Sequence, residues 1–262
     1  MSLRDSAWSG VAIALLVMGG WATSLVLLLS LGLDGLHPAL YVPAVLVQTF
    51  LHTGLFITAH DSMHGAVCPS VPKLNNVLGG LAAHLYAAFS YDKLRRKHRQ
   101  HHRFPAHEED PDHHDAGRDR FWRWYLGFMW EYLSVLQVVG VAVAYNVLHH
   151  VVGVDLGALN VFWVLPSLLS TVQLFYFGTY LPHRQPPEGF EDEHRATSNE
   201  FSTVVSFLTC YHFGYHHEHH EHPHVPWWRL PAVRRRKKKK ANDGRNGGAG
   251  AQQSGDVLHL TE

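Results

Sequence analysis

Four stretches of this chain run for more than twenty residues without Asp, Glu, Lys or Arg. Asp5 and Asp34 enclose 28 such residues, Gly35 to His60 gives 26, Tyr132 to Val154 gives 23 and Leu156 to His183 gives 28. About 20 apolar residues carry a helix across a ~30 Å hydrocarbon core. Inside lipid the backbone must satisfy its own polar groups, which a helix does alone. The runs therefore predict an all-α integral membrane protein with four transmembrane helices, near Trp8–Leu33, from Ala39 to His60 and His64, Leu126–Leu148 and Leu156–Pro182. Asp34 to Pro38 forms a tight turn and a second short connection precedes Leu156, so the helices pair as two hairpins.

The remaining charges orient these helices. Neither short loop carries Lys or Arg, whereas the segment between the second and third helices holds Lys93, Arg95, Arg96, Lys97, Arg99, Arg103, Arg118, Arg120 and Arg123. The positive-inside rule makes that segment and both termini cytoplasmic. The first run lacks a basic leader beyond Arg4 and is long enough to span, so it is expected to be retained rather than cleaved. Residues 1–233 form the membrane domain. From Arg234 the composition turns basic, then rich in Gly, Asn and Gln, which predicts a disordered tail over 234–262. Lys and Arg together equal Asp and Glu at 22 each, and no basic and aromatic interleaving marks a nucleic-acid partner. Cys68 and Cys210 are too few for a disulfide framework and read as packing residues.

Nine of the 23 histidines fall into metal-ligand spacing: His60 and His64, then His98, His101 and His102, then His216, His219 and His220, with His183 at the end of the fourth run. Residues three or four apart share a helix face, so each cluster aims its imidazoles at one point. Cytosolic or interfacial helices carry these clusters at one membrane face. Leu74–Tyr91, with 18 uncharged residues, and Phe201–His217, with 17, are then re-entrant or interfacial, since a crossing by the first would separate two clusters. Zinc needs three or four ligands, so this supply implies two metal ions. Imidazole suits iron, zinc, copper or nickel, and the ligand type leaves the metal open. Charge on two divalent ions calls for carboxylates at the outward ring N–H groups. Asp61, inside the first cluster, heads candidates that include Glu108, Glu109, Asp110, Asp112, Asp115, Glu218 and Glu221. His220 to His224 matches the zinc-protease pattern H-E-x-x-H, but Pro223 would break the helix that pattern needs. His37, His52, His149 and His150 lie away from the clustered face and read as structural.

The three clusters resemble the histidine boxes of the membrane fatty-acid desaturase and hydroxylase superfamily. Thr58 to Gly65, Phe89 to Asp92, Asp110 to Asp112, Phe177 to Arg184, Phe207 to His220 and Pro223 to Pro231 resemble the CrtW-type β-carotene 4-ketolases of bacteria and cyanobacteria. The resemblance covers nearly everything from the first helix to Pro231. It implies a di-iron centre in which one iron takes His60, His64, His98, His101 and His219 and the other His102, His183, His216 and His220. It also implies O2 as co-substrate, a ferredoxin-type electron donor, and a β-carotene substrate whose ring C4 methylene becomes a ketone through successive hydroxylations and loss of water. Phe89, Tyr91, Phe175, Tyr176, Phe177, Phe213 and Tyr215 then either hold the ring or pack the core. A carotenoid hydroxylase or a lipid desaturase would share the same boxes. A divalent-metal transporter is the rival of another class, although its ligands would sit near the bilayer midplane on broken helices. Oligomeric state is not readable from the sequence.

Overall fold

The computed structural model of the chain describes residues 3–113, 120–190 and 192–253; every element among them is helical. Helix α1 (Leu3–Leu31) ends at Gly32, whose φ of +65° lets the chain reverse. The chain returns as α2 (Tyr41–Met63), entered through a short turn that begins at Pro38. α3 (Pro72–Ala87) lies along the end of α2, and α4 (Tyr91–Arg103) follows it. Next come α5 (Phe121–Tyr132), α6 (Val135–Val151) and α7 (Leu156–His183). Three short or polar helices complete the chain: α8 (Thr203–Cys210), α9 (His216–Glu221) and α10 (Leu230–Gln253).

Three helical stretches, Trp8–Leu31, Pro38–Met63 and Leu156–His183, are long and apolar enough to cross a membrane. The third expected span, Leu126–Leu148, is not one helix. It divides into α5 and α6, which meet at 88°, so the described residues contain three such spans, or four if the bent pair counts as one. Leu133 and Ser134 are extended at the break. The Ser134 hydroxyl accepts from the Gln137 amide at 3.4 Å and so restarts the helix. Absence of charge reports what lipid tolerates, not whether the backbone runs straight. Leu16, Val42, Leu136 and Leu168 are among many exposed apolar side chains on these helices, as a lipid-facing surface requires.

α2 and α7 run parallel and side by side. Val45 packs in one cluster with Phe162, and the Thr53 hydroxyl meets Ser170 at 2.8 Å and Gln173 at 2.6 Å. Their C-terminal ends, carrying His60 and His183, therefore come together. α3 reaches the same end because Gly79 has no side chain: a Cβ there would sit 2.1 Å from the Ser62 hydroxyl. Asn75 then donates to the Ser62 carbonyl at 2.8 Å. His52 is structural as expected, accepting from the Trp21 indole at 3.0 Å, and Cys68 and Cys210 are both buried and free.

The expected tail differs from its prediction. α10 carries the basic run as helix, Arg234 is buried, and the expected boundary at 233/234 falls inside this element. The last part of that tail, 254–262, lies outside the described residues.

Candidate metal centre

Each histidine cluster sits on a helix. His60 ends α2 with His64 just past it, His98, His101 and His102 lie on α4, His183 closes α7, and His216, His219 and His220 lie on α9. Two turns shape the approach. Tyr176–Tyr180 forms a widened turn of α7, a local form frequent at functional sites, just before His183. Tyr211 and His212 take left-handed conformations, φ 47° and 61°, which turn the chain from α8 towards α9 and set the Phe213 ring 4.7 Å from that of His60.

All nine histidines gather, in two groups. His60, His64, His98, His102 and His219 form one, and His101, His183, His216 and His220 the other, with the ligand atoms of each group within 4.8 Å of one another. The groups touch where His102 stacks on His220 at 4.2 Å. The division corrects the expected one, because His101 and His102 exchange places. The reason is helical phase. His60 and His64, His98 and His102, and His216 and His220 are each four apart and share a group, whereas the residue three along, His101 or His219, turns to the other.

Hydrogen bonds fix several rings. His101 Nδ1 lies 2.9 Å and 3.0 Å from the two Asp110 oxygens, His60 Nδ1 lies 3.2 Å from Asp61, and His183 Nδ1 lies 2.8 Å from the Arg195 carbonyl. These acceptors need a proton on Nδ1, which leaves the Nε2 lone pair free on each ring. The Nε2 atoms of His60 and His183 are buried with no hydrogen-bond partner. Elsewhere Nε2 atoms face each other: His64 and His98 at 2.7 Å, His102 and His219 at 3.0 Å, His101 and His220 at 3.2 Å, His216 and His220 at 3.1 Å. Imidazole nitrogens about 2.0–2.1 Å from one transition-metal ion would stand roughly 2.9–3.3 Å apart at right-angled to tetrahedral geometry. Converging, buried imidazole nitrogens at that separation fit two metal ions.

Burial keeps these rings neutral. His98, His102, His216, His219 and His220 are held well below the ordinary imidazole value, first by burial and then by neighbouring imidazoles. His64 is lowered to about 3, by burial and then by Arg99. His101 goes the other way: burial opposes its charge, but Asp112 and Asp110 outweigh burial and raise it. Asp112 is itself pushed up to about 6 by burial, despite His101.

Among the carboxylate candidates, Asp61 is buried and bridges His60 to the Trp227 amide at 2.9 Å. Asp110 is the more complete partner, receiving His101 together with the Ala106 and Asp112 amides at 2.8 Å and 2.9 Å. Glu218 is buried on the far side of α9, Glu108 and Glu109 are exposed, and Glu221 pairs with Lys237 at 3.0 Å. Asp115 lies outside the described residues.

A cleft opens beside both groups and is lined by His60, His98, His101 and His216. Its other walls are mainly apolar, from Phe56, Met63, Tyr86, Phe89, Leu94, Phe128, Met129, Leu133, Leu174 and Phe213. Of the expected ring-holding residues, Phe89 and Phe213 line it. Tyr91, Phe175, Tyr176, Phe177 and Tyr215 do not. Tyr91 reaches Ser62 at 2.9 Å, and Phe175 is fully buried against Phe121, Tyr125 and Phe128, pinning α5 to α7. Tyr176 is 37% exposed beside Phe121, Phe177 borders a separate hollow, and Tyr215 lies under Arg234. Sequence reasoning missed Phe56 and Met63, although both lie on the His60 face of α2, four residues before it and three after.

Comparison with known proteins agrees with this architecture. The sequence profile of the family described as Fatty acid desaturase matches residues 36–142 and 130–246. A beta-carotene ketolase from a Paracoccus species is 47% identical over 199 residues, which is 76% of this chain and 81% of the relative. One from a second Paracoccus strain is 44% identical over 200 residues, again 76% and 81%. One from Haematococcus lacustris is 42% identical over 210 residues, 78% of this chain and 65% of the relative.

Proposed function

Because the chain belongs to the fatty acid desaturase family, and its relatives over most of its length are named beta-carotene ketolases, we propose that it is a carotenoid ketolase. It converts the C4 methylene of β-ionone rings to a ketone, giving products of the echinenone and canthaxanthin type. The observation that carries this reading is the apolar cleft with histidines of both groups in its wall.

Two iron ions fit the centre, one held by His60, His64, His98, His102 and His219, the other by His101, His183, His216 and His220. When bound, they would supply O2 activation and hydrogen removal from the C4 methylene. The protein does the rest by positioning. Phe213 and Phe89 hold the ring, and Phe56, Tyr86 and Phe128 extend the apolar contact. The Tyr132 hydroxyl donates to Asp112, which satisfies the one carboxylate in the cleft wall. Asp61 and Asp110 orient ring N–H groups and offset the metal charge. C4 is allylic, so its C–H bonds are weak. Two successive hydroxylations, each using one O2, two electrons and two protons and releasing one water, give a gem-diol that loses water to the ketone.

Disposition in the membrane follows from the same elements. Four spans form two hairpins, with the bent α5–α6 pair as the third, and the metal centre and both termini face the cytoplasm. Lys93, Arg96, Arg99 and Arg103 are exposed on α4, roughly one turn apart, on the helix that also carries His98, His101 and His102. An acidic ferredoxin-type donor meets the protein there, one helix thickness from the metals. Expression in a β-carotene-producing host with pigment analysis tests the reading: ketocarotenoid supports it, and only hydroxylated or unchanged carotene overturns it.

A further inference from the structure

Helix α9 has six residues and supplies three of the nine histidines. So short a helix has no stability of its own in water, so its placement must come from what its remaining side chains touch. Glu218 provides that contact. It is 3% exposed, accepts from the Ser198 hydroxyl and receives Arg234 Nη1 at 2.8 Å. Arg234 Nη2 also donates to the Asn199 carbonyl at 2.6 Å and to Glu200 at 2.8 Å. The guanidinium lies 4.7 Å over the ring of Tyr215, the residue just before His216. One side chain thus joins the start of α10, the 198–200 segment and both ends of the Tyr215–Glu218 turn. The basic residues beyond it behave differently. Arg235 to Lys240 are exposed, and the pairs Lys237–Glu221 and Lys238–Glu200 are solvent-facing contacts that contribute little.

We propose that Arg234 is a positioning residue of the metal centre: through Glu218 it fixes α9 so that His216 and His220 reach one metal site and His219 the other. The proposal rests on the two-iron reading above. A planar guanidinium with five donors is suited to this arrangement in a way that an ammonium is not. The geometry also makes its loss unequal. α9 supplies two of the four histidines in the group with His101 and His183, but only one of the five in the other group.

The test uses the detergent-purified full chain, Arg234→Ala, Arg234→Lys, Lys239→Ala and a chain ending after Lys240. Iron per chain is measured, with Mössbauer and electron paramagnetic resonance spectra for the coupled pair and circular dichroism for helix content. The unaltered chain, Lys239→Ala and the shortened chain should each hold two irons. Arg234→Ala should fall towards one iron per chain, with a mononuclear signal replacing that of the pair at unchanged helix content, and Arg234→Lys should lie between. Two coupled irons in Arg234→Ala would overturn the proposal, and so would loss of both irons together with loss of helix content, which marks a general folding role. An unaltered chain holding fewer than two irons would overturn the two-metal reading and this proposal with it.

Discussion

Asp110 presents both carboxylate oxygens to His101 Nδ1, at 2.9 Å and 3.0 Å, and so aims the opposite nitrogen at His220, 3.2 Å away. The carboxylate is itself held by two backbone amides. Asp110→Asn keeps the shape but removes the charge that holds this tautomer. Metal affinity at the His101 group should fall about 10- to 100-fold, the usual effect of losing such a partner. Titration with a competing chelator measures it; an unchanged affinity would show that ring orientation comes from packing alone.

His101→Ala and His219→Ala each remove one candidate ligand, the first from the four-histidine group and the second from the five-histidine group. Ketone formation should stop in both, while the protein still fractionates with membranes, because the apolar spans do not depend on the centre. Pigment analysis alongside membrane fractionation checks this, and retained activity in both variants would contradict the ligand assignment.

Gly178 lies in the widened turn of α7, where a Cβ would come within 2.4 Å of the Phe213 ring. Phe213 cannot yield without leaving His60 and the cleft wall. Gly178→Ala should cost about 1–3 kcal/mol of local packing and slow ketone formation with iron content retained. Product rates normalised to bound iron test the expectation; wild-type rates would mean that the ring does not guide the substrate.

Burial pushes the Cys210 thiol far above its ordinary value, so almost no thiolate exists at neutral pH. Cys210 should resist alkylation in the folded protein and react only after denaturation, with mass spectrometry locating the label. Rapid labelling of the native protein would show that α8 opens.

The spans α1, α2 and α7 were legible because lipid excludes charge over the whole length of a helix. The break at Leu133–Ser134 was not, since an uncharged extended pair satisfies the same rule; Ser134 as a cap was its one local signal. Spacing singled out nine histidines that the fold gathers, but it could not divide them between two groups. Offsets of three and four residues fall about 60° to one side and about 40° to the other of the first residue, so neighbouring histidines diverge, and the packing of α4 and α9 decides which group each one meets. Asp110 appeared among the candidates, yet nothing in its nine-residue separation from His101 disclosed that the intervening loop folds back. Arg234 was read as tail because composition describes a segment's average and not the single side chain that is buried.

The right-angle break between α5 and α6 shapes more than topology. Phe128, Met129, Tyr132 and Leu133, all at or just before the corner, form part of the cleft wall. A straight helix would carry these four side chains away from one another, whereas the corner sets them together along the cleft. α6 beyond it, 17 residues from Val135 to Val151, is only about 25 Å long at 1.5 Å per residue. That is shorter than an average hydrocarbon core, a mismatch met by thinning of the bilayer, snorkelling of flanking residues or association with other helices. Under the proposed function, a polyene whose ring enters the cleft past this corner would leave its remainder in hydrocarbon.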